Sequence, residues 1–407
     1  MKLSHVTLEN FRAIEHLRLE LGQRLTLLMG ENGSGKTSII DAISVGFGAV
    51  VTYLPNVSGI SFKKTDPRIF ENRIAPYTRI QIEAFNGVKW DRMVKRDQNR
   101  STAKLLPKMI GQKHLEQFLD QTIVEPYNRR QAFRLPVIVS YGVSRALLNP
   151  PLTRKGFPKT YTRFDALAGA FQSDSRFKSA FIWFYNKEHE ELRLQKKQQS
   201  FDVALPELKT VRQAIGKMFP DLSEPHIETN PLQFVINQHG QFLNIDQLSD
   251  GYKTLLGLVI DLSARMAMAN PESSNPLAEE SIVMIDEVDL HLHPVWQIKV
   301  VGDLLRTFPN TQFILTTHSP YIVESINNNL KRSQIAKFLD QSSQNNAIKK
   351  IEPLAGQQIK AYLIQNQQVE SILDQETGLL DDKLIASWNE MNAVYEQMRD
   401  LEWGLKQ

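Results

Sequence analysis

Gly30-Glu-Asn-Gly-Ser-Gly35-Lys36-Thr37-Ser38 is the stretch on which the fold turns. It fills every position of the phosphate-loop pattern G-x-x-x-x-G-K-[ST]. The run Arg24 to Met29 before it reads as a central strand, and the residues from about Lys36 to Phe47 after it read as a helix. A triphosphate needs that arrangement for physical reasons. Glycines let backbone N–H groups close around phosphate oxygens, and a helix N-terminus adds positive potential. Gly30, Asn32, Gly33, Ser34, Gly35, Lys36, Thr37 and Ser38 are therefore the expected nucleotide-binding residues. Lys36 is expected to reach the β- and γ-phosphates, and the Thr37 hydroxyl to ligate Mg²⁺.

Far along the chain, Ser281-Ile-Val-Met-Ile-Asp286-Glu287 brings the matching acid chemistry. Consecutive apolar residues before two acids describe a buried strand with carboxylates at its C-terminal edge. Open α/β sheets bind ligands at that edge. Asp286 is expected to hold Mg²⁺ through water. Glu287 is expected to polarise the attacking water as general base. A strand that merely ends in an acidic turn is common; the phosphate loop in the same chain gives these carboxylates a task. ATP with Mg²⁺ is the implied pair.

Two further segments matter through their order. Leu248-Ser249-Asp250-Gly251-Tyr252-Lys253 opens a helix: Ser249 can cap it, and Gly251 allows close backbone approach. Alone it is a capped helix start. His318, in Thr316-Thr-His318-Ser-Pro, follows a strand; alone it is a polar turn residue. The chain thus runs phosphate loop, Ser249-Asp250-Gly251, acidic strand, His318. That order resembles the ABC-type ATPases. The resemblance implies that Ser249, Asp250 and Gly251 are a signature reaching across a dimer to the γ-phosphate held by the other subunit. It also implies that His318 is the switch histidine. Glu287, Lys36 and His318 then form the expected catalytic set. No Q-loop residue can be placed; Gln81 reads as an exposed strand residue.

The finer resemblance is to the SMC/RecF/OLD-like branch. Leu8-Glu-Asn-Phe11-Arg12-Ala-Ile14 looks like that branch's first strand turn. Asp286-Glu-Val-Asp-Leu-His-Leu-His293-Pro294 resembles the D-E-x-x-x-H-L-H-P pattern of OLD-like ATPases. Transporter subunits and SMC heads carry Asp where this chain has His293, which argues against a transporter. Leu135-Pro-Val-Ile-Val-Ser-Tyr141-Gly142-Val-Ser-Arg145 is similar to a strand–Gly–Arg segment of related bacterial ATPases. Arg145 is open to two readings, a γ-phosphate or inter-subunit contact and a structural salt bridge. Size, the H-L-H-P variant and the lack of a nuclease constellation look like the ATPase subunit of Septu-type and retron-associated anti-phage systems. That implies a homodimer or higher oligomer and a partner HNH nuclease. A RecF-like DNA-end-binding ATPase and a nucleotide-sensing scaffold with little turnover remain the alternatives.

The other elements are coarser. Residues 3–9 and 16–20 alternate as half-buried strands, and 79–85 and 88–95 flank the hairpin signal Asn86-Gly87. Leu135 to Tyr141 reads as a buried strand. Helices are expected at 165–197, 204–218, 251–269 and 295–307, and a strand at 312–316. Two short strands surround His239-Gly240; others are expected near 334–339 and 347–352. From about 355 a Gln-rich tail reads as mostly helical. Leu384, Trp388, Met391, Tyr395 and Met398 there recur at helical spacing after Asp381-Asp382. Packing on the chain's own core and docking a partner are both open to that stripe. The expected class is α/β: a P-loop head split over 1–48 and 226–353, a long α+β insertion over 49–225, a helical tail over 354–407, and no long coiled coil.

Composition sets outer bounds. The 407 residues carry 48 Lys and Arg against 45 Asp and Glu, a net +3, which excludes a bulk polyanion binder. Zero Cys excludes disulfide scaffolds, thiolate zinc sites and cysteine nucleophiles. Neither a signal-peptide pattern nor an 18-residue apolar run is seen, so a cytoplasmic, membrane-free protein is expected. The charge is uneven. Residues 87–164 hold 16 Lys and Arg against 5 Asp and Glu, a local +11 that leaves −8 for the rest. Such a segment suits phosphate-led contact with DNA or RNA, with Arg129, Arg130 and Arg134 as candidate residues. A solvated face is the plainer reading.

Overall fold

The computed structural model describes residues 1–146, 160–172, 176–336, 350–365 and 368–381, together with residues 348 and 399. Strands β1 (Leu3–Phe11), β2 (Ile14–Glu20) and β3 (Leu25–Met29) open the chain, and helix α1 (Lys36–Tyr53) follows the phosphate loop. A small hairpin pairs β4 (Ile69–Phe70) with β5 (Arg73–Ile74). A longer one pairs β6 (Tyr77–Ala84) with β7 (Lys89–Lys95). Gly87, at φ +84°, makes that second turn in the left-handed region. Strands β2-β1-β6-β7 form one antiparallel sheet.

Short helices α2 (Arg100–Ala103), α3 (Lys113–Leu119) and α4 (Glu125–Asn128) lead to β8 (Val137–Tyr141). Helices α5 (Arg176–Gln198) and α6 (Pro206–Met218) precede a three-stranded sheet of β9 (Leu222–Thr229), β10 (Leu232–Gln238) and β11 (Gln241–Asn244). Then come α7 (Asp250–Ala269), β12 (Ser281–Ile285), α8 (Pro294–Thr307), β13 (Thr311–Thr317) and α9 (Pro320–Gln334). Strands β14 (Ile359–Gln365) and β15 (Gln368–Ser371) follow.

The central sheet has the order β15-β14-β3-β13-β12-β8, parallel except for β15. The phosphate-loop strand β3 and the acidic strand β12 are therefore separated by β13. Every residue of β3, β8, β12 and β13 is buried, as parallel strands covered on both faces require. Helix α1 lies between the two large sheets. Ser44 faces Met284 of β12, and an added Cβ on Gly46 would lie 2.3 Å from Ile82 of β6. That explains why α1 is apolar all round. Ile285, next to Met284 and so on the other face, lines a small cavity with Leu258 of α7 and Leu304 of α8. The fold is α/β, with the phosphate loop at the C-terminal edge of a parallel sheet.

The structure departs from the expected boundaries in three places. The stretch 49–225 is not a lobe apart: β6 and β7 extend the N-terminal sheet, and β8 joins the central one. The expected helix at 165–197 begins only at Arg176; Arg163–Leu167 is a 3₁₀ turn, and Gly169 at φ +62° breaks the path. The strands expected near 334–339 and 347–352 fall partly outside the described residues. Helix α9 runs through Gln334, and the closing strands are β14 and β15, inside the supposed helical tail. Ile359, Ala361 and Ile364 are buried while their neighbours are less so, a strand pattern that glutamines obscure. The helix expected over 384–398 lies outside the described residues, as do three charges of the basic segment 87–164, Arg154, Lys155 and Lys159. No helix among the described residues is long and apolar enough to cross a membrane.

Candidate functional site

Gly33 at φ +82° and Gly35 at φ +107° turn the phosphate loop through backbone that other residues rarely adopt. A Cβ on Gly30 would lie 2.3 Å from the Ile364 carbonyl oxygen, so β14 closes directly behind the loop. Lys36 is 5% exposed, and its Nζ donates to the carbonyls of Gly30 and Glu31, each at 2.7 Å. Burial lowers the Lys36 pKa, while the carboxylates of Asp286, Glu287 and Asp289 push it up. Among the described residues Ser34 Oγ is buried without a hydrogen-bond partner. A cleft of about 440 Å³ opens here, lined by Asn32, Gly33 and Gly35 of the loop together with Ile14, Leu17 and Ile364. Loop N–H groups beside an apolar wall suit a phosphate chain carrying a base. Asn32 and Thr37 are exposed; Ser38 is half-buried at the start of α1.

The acids meet the loop across the sheet edge. Thr37 Oγ1 donates to Asp286 Oδ2 at 2.8 Å. Asp286 is 2% exposed, and its N–H donates to the Tyr141 carbonyl at 2.8 Å, which ties the acid to β8. Thr316, at the end of β13, joins both acids. Its Oγ1 donates to Asp286 Oδ1 at 2.6 Å and accepts the Glu287 N–H at 2.7 Å. Glu287 sits at φ +50°, a left-handed conformation that costs a non-glycine residue about 1–3 kcal/mol. Sequence reasoning missed Thr316. The available signal was a hydroxyl two positions before His318, at the end of the strand that separates the other two.

His318 is about half exposed, with Nε2 3.5 Å from Asp289 Oδ2. The other Asp289 oxygen accepts from Thr317 Oγ1 at 2.5 Å. Sequence reasoning missed Asp289 also, though it lies three residues past Asp286. Ser249 and Asp250 are exposed at the start of α7, and among the described residues neither bonds the phosphate loop. Asp250 pairs with Lys253 at 3.3 Å. A Cβ on Gly251 would stand 2.7 Å from the His291 carbonyl oxygen, so the start of α7 rests on the backbone that follows the acids. Tyr252 and Trp296 pack edge to face beside this contact at 4.9 Å. His293 caps α8, its Nδ1 accepting the Val295 N–H at 3.3 Å.

An AAA-domain family model matches residues 5–223, more than half the chain. The chain belongs to the AAA-domain family. A second AAA-domain model matches residues 129–324. This AAA-domain ATPase is 26% identical to the retron Vc95 probable ATPase of Vibrio cholerae serotype O1 biovar El Tor, over 80% of this chain and 72% of that protein. It is 24% identical to the Septu protein PtuA of Bacillus mycoides, over 78% of this chain and 38% of that protein. A solved SMC head bound to the C-terminal winged-helix domain of ScpA superposes with TM-score 0.43 at 14% identity, over 93% of this chain and 99% of that one.

The basic segment of the AAA-domain chain divides by direction. Arg92 points inward, donating to the carbonyls of Val45 and Ile60. Arg163 donates to the carbonyls of Ala269 and Phe133 at 2.7 and 2.8 Å and covers the Phe133 ring at 3.7 Å. Both are internal clamps rather than surface charge. Arg129 and Arg134 are exposed and pair with Glu125 at 3.2 Å and Glu279 at 2.9 Å. Arg130 is exposed at φ +55°. The Arg145 side chain lies outside the described residues. Gln81 lies in β6 and donates to Glu83 at 3.2 Å.

Proposed function

We propose that this AAA-domain ATPase is the ATP-binding and ATP-hydrolysing subunit of a bacterial anti-phage defence complex. Its ATP-dependent dimer geometry controls a separate HNH-type nuclease subunit. One observation carries the catalytic part: Thr37, Asp286, Thr316 and Glu287 form a continuous hydrogen-bonded junction at the sheet edge. The Thr37 hydroxyl and the Asp286 carboxylate are the hard oxygen ligands that Mg²⁺ takes, and their 2.8 Å contact fits one ion's coordination shell. Bound Mg²⁺ would neutralise phosphate charge there. Gly30 to Ser38 cradle the phosphates and Lys36 binds the terminal ones. Glu287 accepts the proton of the attacking water.

Ser249, Asp250 and Gly251 close the site of a second copy, and His318 contacts the γ-phosphate. The packing of Gly251 on His291 supports this reading, because it connects the exposed signature face to the loop that carries Asp286 and Glu287. A change at one site is thereby felt at the face presented to the other. The defence role is supported by the likeness to the retron and Septu proteins over about four-fifths of the chain. Arg129, Arg130 and Arg134 give a phosphate-led contact with DNA or RNA.

The test is co-expression with the products of the neighbouring genes, followed by assay of ATP loss and DNA cleavage. The reading expects a nuclease subunit to co-purify and its cleavage to change with nucleotide. Glu287→Gln should retain ATP binding and lose turnover by about a hundredfold or more. Turnover stimulated by DNA ends with no co-purifying nuclease would favour a RecF-like role. Equal ATP loss by parent and Glu287→Gln would reject hydrolysis at this site.

A further inference from the structure

Asp289 lies three residues past Asp286 and is 5% exposed, and its two carboxylate oxygens face two consecutive residues at the end of β13. Oδ1 accepts from Thr317 Oγ1 at 2.5 Å, and Oδ2 lies 3.5 Å from His318 Nε2. A carboxylate buried this deeply is costly unless donors surround it. The Thr317 hydroxyl oxygen in turn accepts the Ser319 N–H at 3.0 Å. Ser319 Oγ donates to Gln297 Oε1 at 2.5 Å and accepts the Tyr321 N–H at 3.2 Å. The chain is therefore pinned on both sides of His318, while the ring itself is half exposed.

The loop that carries Asp289 is tied to the same strand. The Val288 N–H donates to the Thr316 carbonyl at 2.9 Å, and the Asp289 carbonyl accepts the Leu292 N–H at 3.0 Å. Asp289 is also near enough to the phosphate loop for its charge to act on Lys36, where burial lowers the pKa and Asp286, Glu287 and Asp289 oppose that. We propose that Asp289 is the positioning residue of His318: Oδ1 fixes the turn through Thr317, Oδ2 fixes the ring, and His318 meets the γ-phosphate already aimed. This rests on the reading that His318 contacts the γ-phosphate.

Aim matters here for a physical reason. A half-exposed imidazole on a turn has several staggered rotamers open to it. A contact to developing charge helps the reaction only when it is in place beforehand, and a displacement of about 1 Å can cost about a hundredfold in rate. Asp289 is assigned no contact with phosphate of its own, so its effect must pass through His318. A carboxylate that merely braced the loop would instead act on Asp286 and Glu287, with or without the His318 ring.

Steady-state ATP turnover by the full chain, in a double-mutant cycle of Asp289→Asn with His318→Ala, separates the two roles. Asn keeps an acceptor for Thr317 and sets a neutral amide against the ring. Asp289→Asn should lower kcat about tenfold and leave KM for ATP within about twofold. In the His318→Ala background it should lower kcat no further. Asp289→Glu keeps the charge on a longer arm and replaces the Asn variant in the cycle if that one does not fold. It too should be impaired with His318 present and neutral without it. Parental kcat in a folded Asp289→Asn variant overturns the proposal. Losses that multiply in the double variant overturn it as well, and make Asp289 a brace of the loop. If His318→Ala turns over like the parent, the γ-phosphate role of His318 fails and takes the proposal with it. An impaired His318→Ala with multiplying losses sinks the proposal alone.

Discussion

Thr316 holds Asp286 at 2.6 Å through the same hydroxyl oxygen that accepts the Glu287 N–H at 2.7 Å. One atom from β13 therefore fixes both the carboxylate beside the phosphate loop and the backbone of the next acid. Thr316→Val keeps the volume and removes the hydroxyl. Two buried polar groups lose a partner, at about 1–3 kcal/mol each. The expected result is a lower melting temperature together with a loss of ATP turnover. Thr316→Ser restores both bonds and should recover turnover. A Val variant with parental turnover would mean that Asp286 and Glu287 are positioned without it.

Gly251 is the position where a single methyl group tests the link between signature and acids. Its added Cβ would stand 2.7 Å from the His291 carbonyl oxygen, and backbone cannot retreat as cheaply as a side chain. Gly251→Ala should cost about 1–3 kcal/mol in stability. It should leave nucleotide binding by the isolated chain intact and lower turnover, since His291 follows Asp286 in one short loop. Equilibrium binding and steady-state turnover on the same preparation separate the two. Parental turnover in a folded variant would break the proposed connection.

Arg129, Arg130 and Arg134 are exposed, and two of them have only surface ion pairs to lose. Surface pairs of this kind contribute about 0–1 kcal/mol. Reversing all three to Glu should therefore leave the melting temperature nearly unchanged. If the segment meets nucleic acid, affinity falls and the salt dependence of binding flattens. Titration with labelled DNA at several salt concentrations reads both; an unchanged salt slope would remove these residues from the interface.

Some of this was legible in the chain and some was not, for reasons that can be stated residue by residue. Gly30 to Ser38 and Ile282 to Glu287 are dense local patterns, so their strand and helix context followed from neighbours a few positions away. Thr37 and Asp286 are 249 positions apart, and their meeting at one sheet edge depends on which strand pairs with which. Thr316 was missed for the same reason: nothing local says that β13 lies between β3 and β12. The β14 strand was read as helix because glutamines surround a short alternation of Ile359, Ala361 and Ile364. The +11 count over 87–164 includes Arg92 and Arg163, whereas both point into the protein and bind carbonyls. A count of charges carries no direction.

Glu188, on α5, offers a pH-dependent test of the packing between α5 and the β9 strand. Burial raises its pKa to about 7, with Glu191 adding to the rise; the Ile227 N–H, which it accepts at 3.0 Å, and Arg212 oppose it. The folded chain thus holds this proton more tightly than the unfolded chain, whose Glu titrates near 4.5. Its contribution to stability is complete below pH 4.5 and declines as pH rises through 7, where the buried carboxylate must ionise. A shift of that size corresponds to about 3 kcal/mol across the window. Glu188→Gln keeps an acceptor for Ile227 and removes the titration. Denaturant unfolding of parent and variant between pH 4.5 and 8 should show the variant gaining relative stability as pH rises, with the gain levelling off above about pH 7. A constant difference across that range would mean that Glu188 ionises in the folded chain as freely as in water.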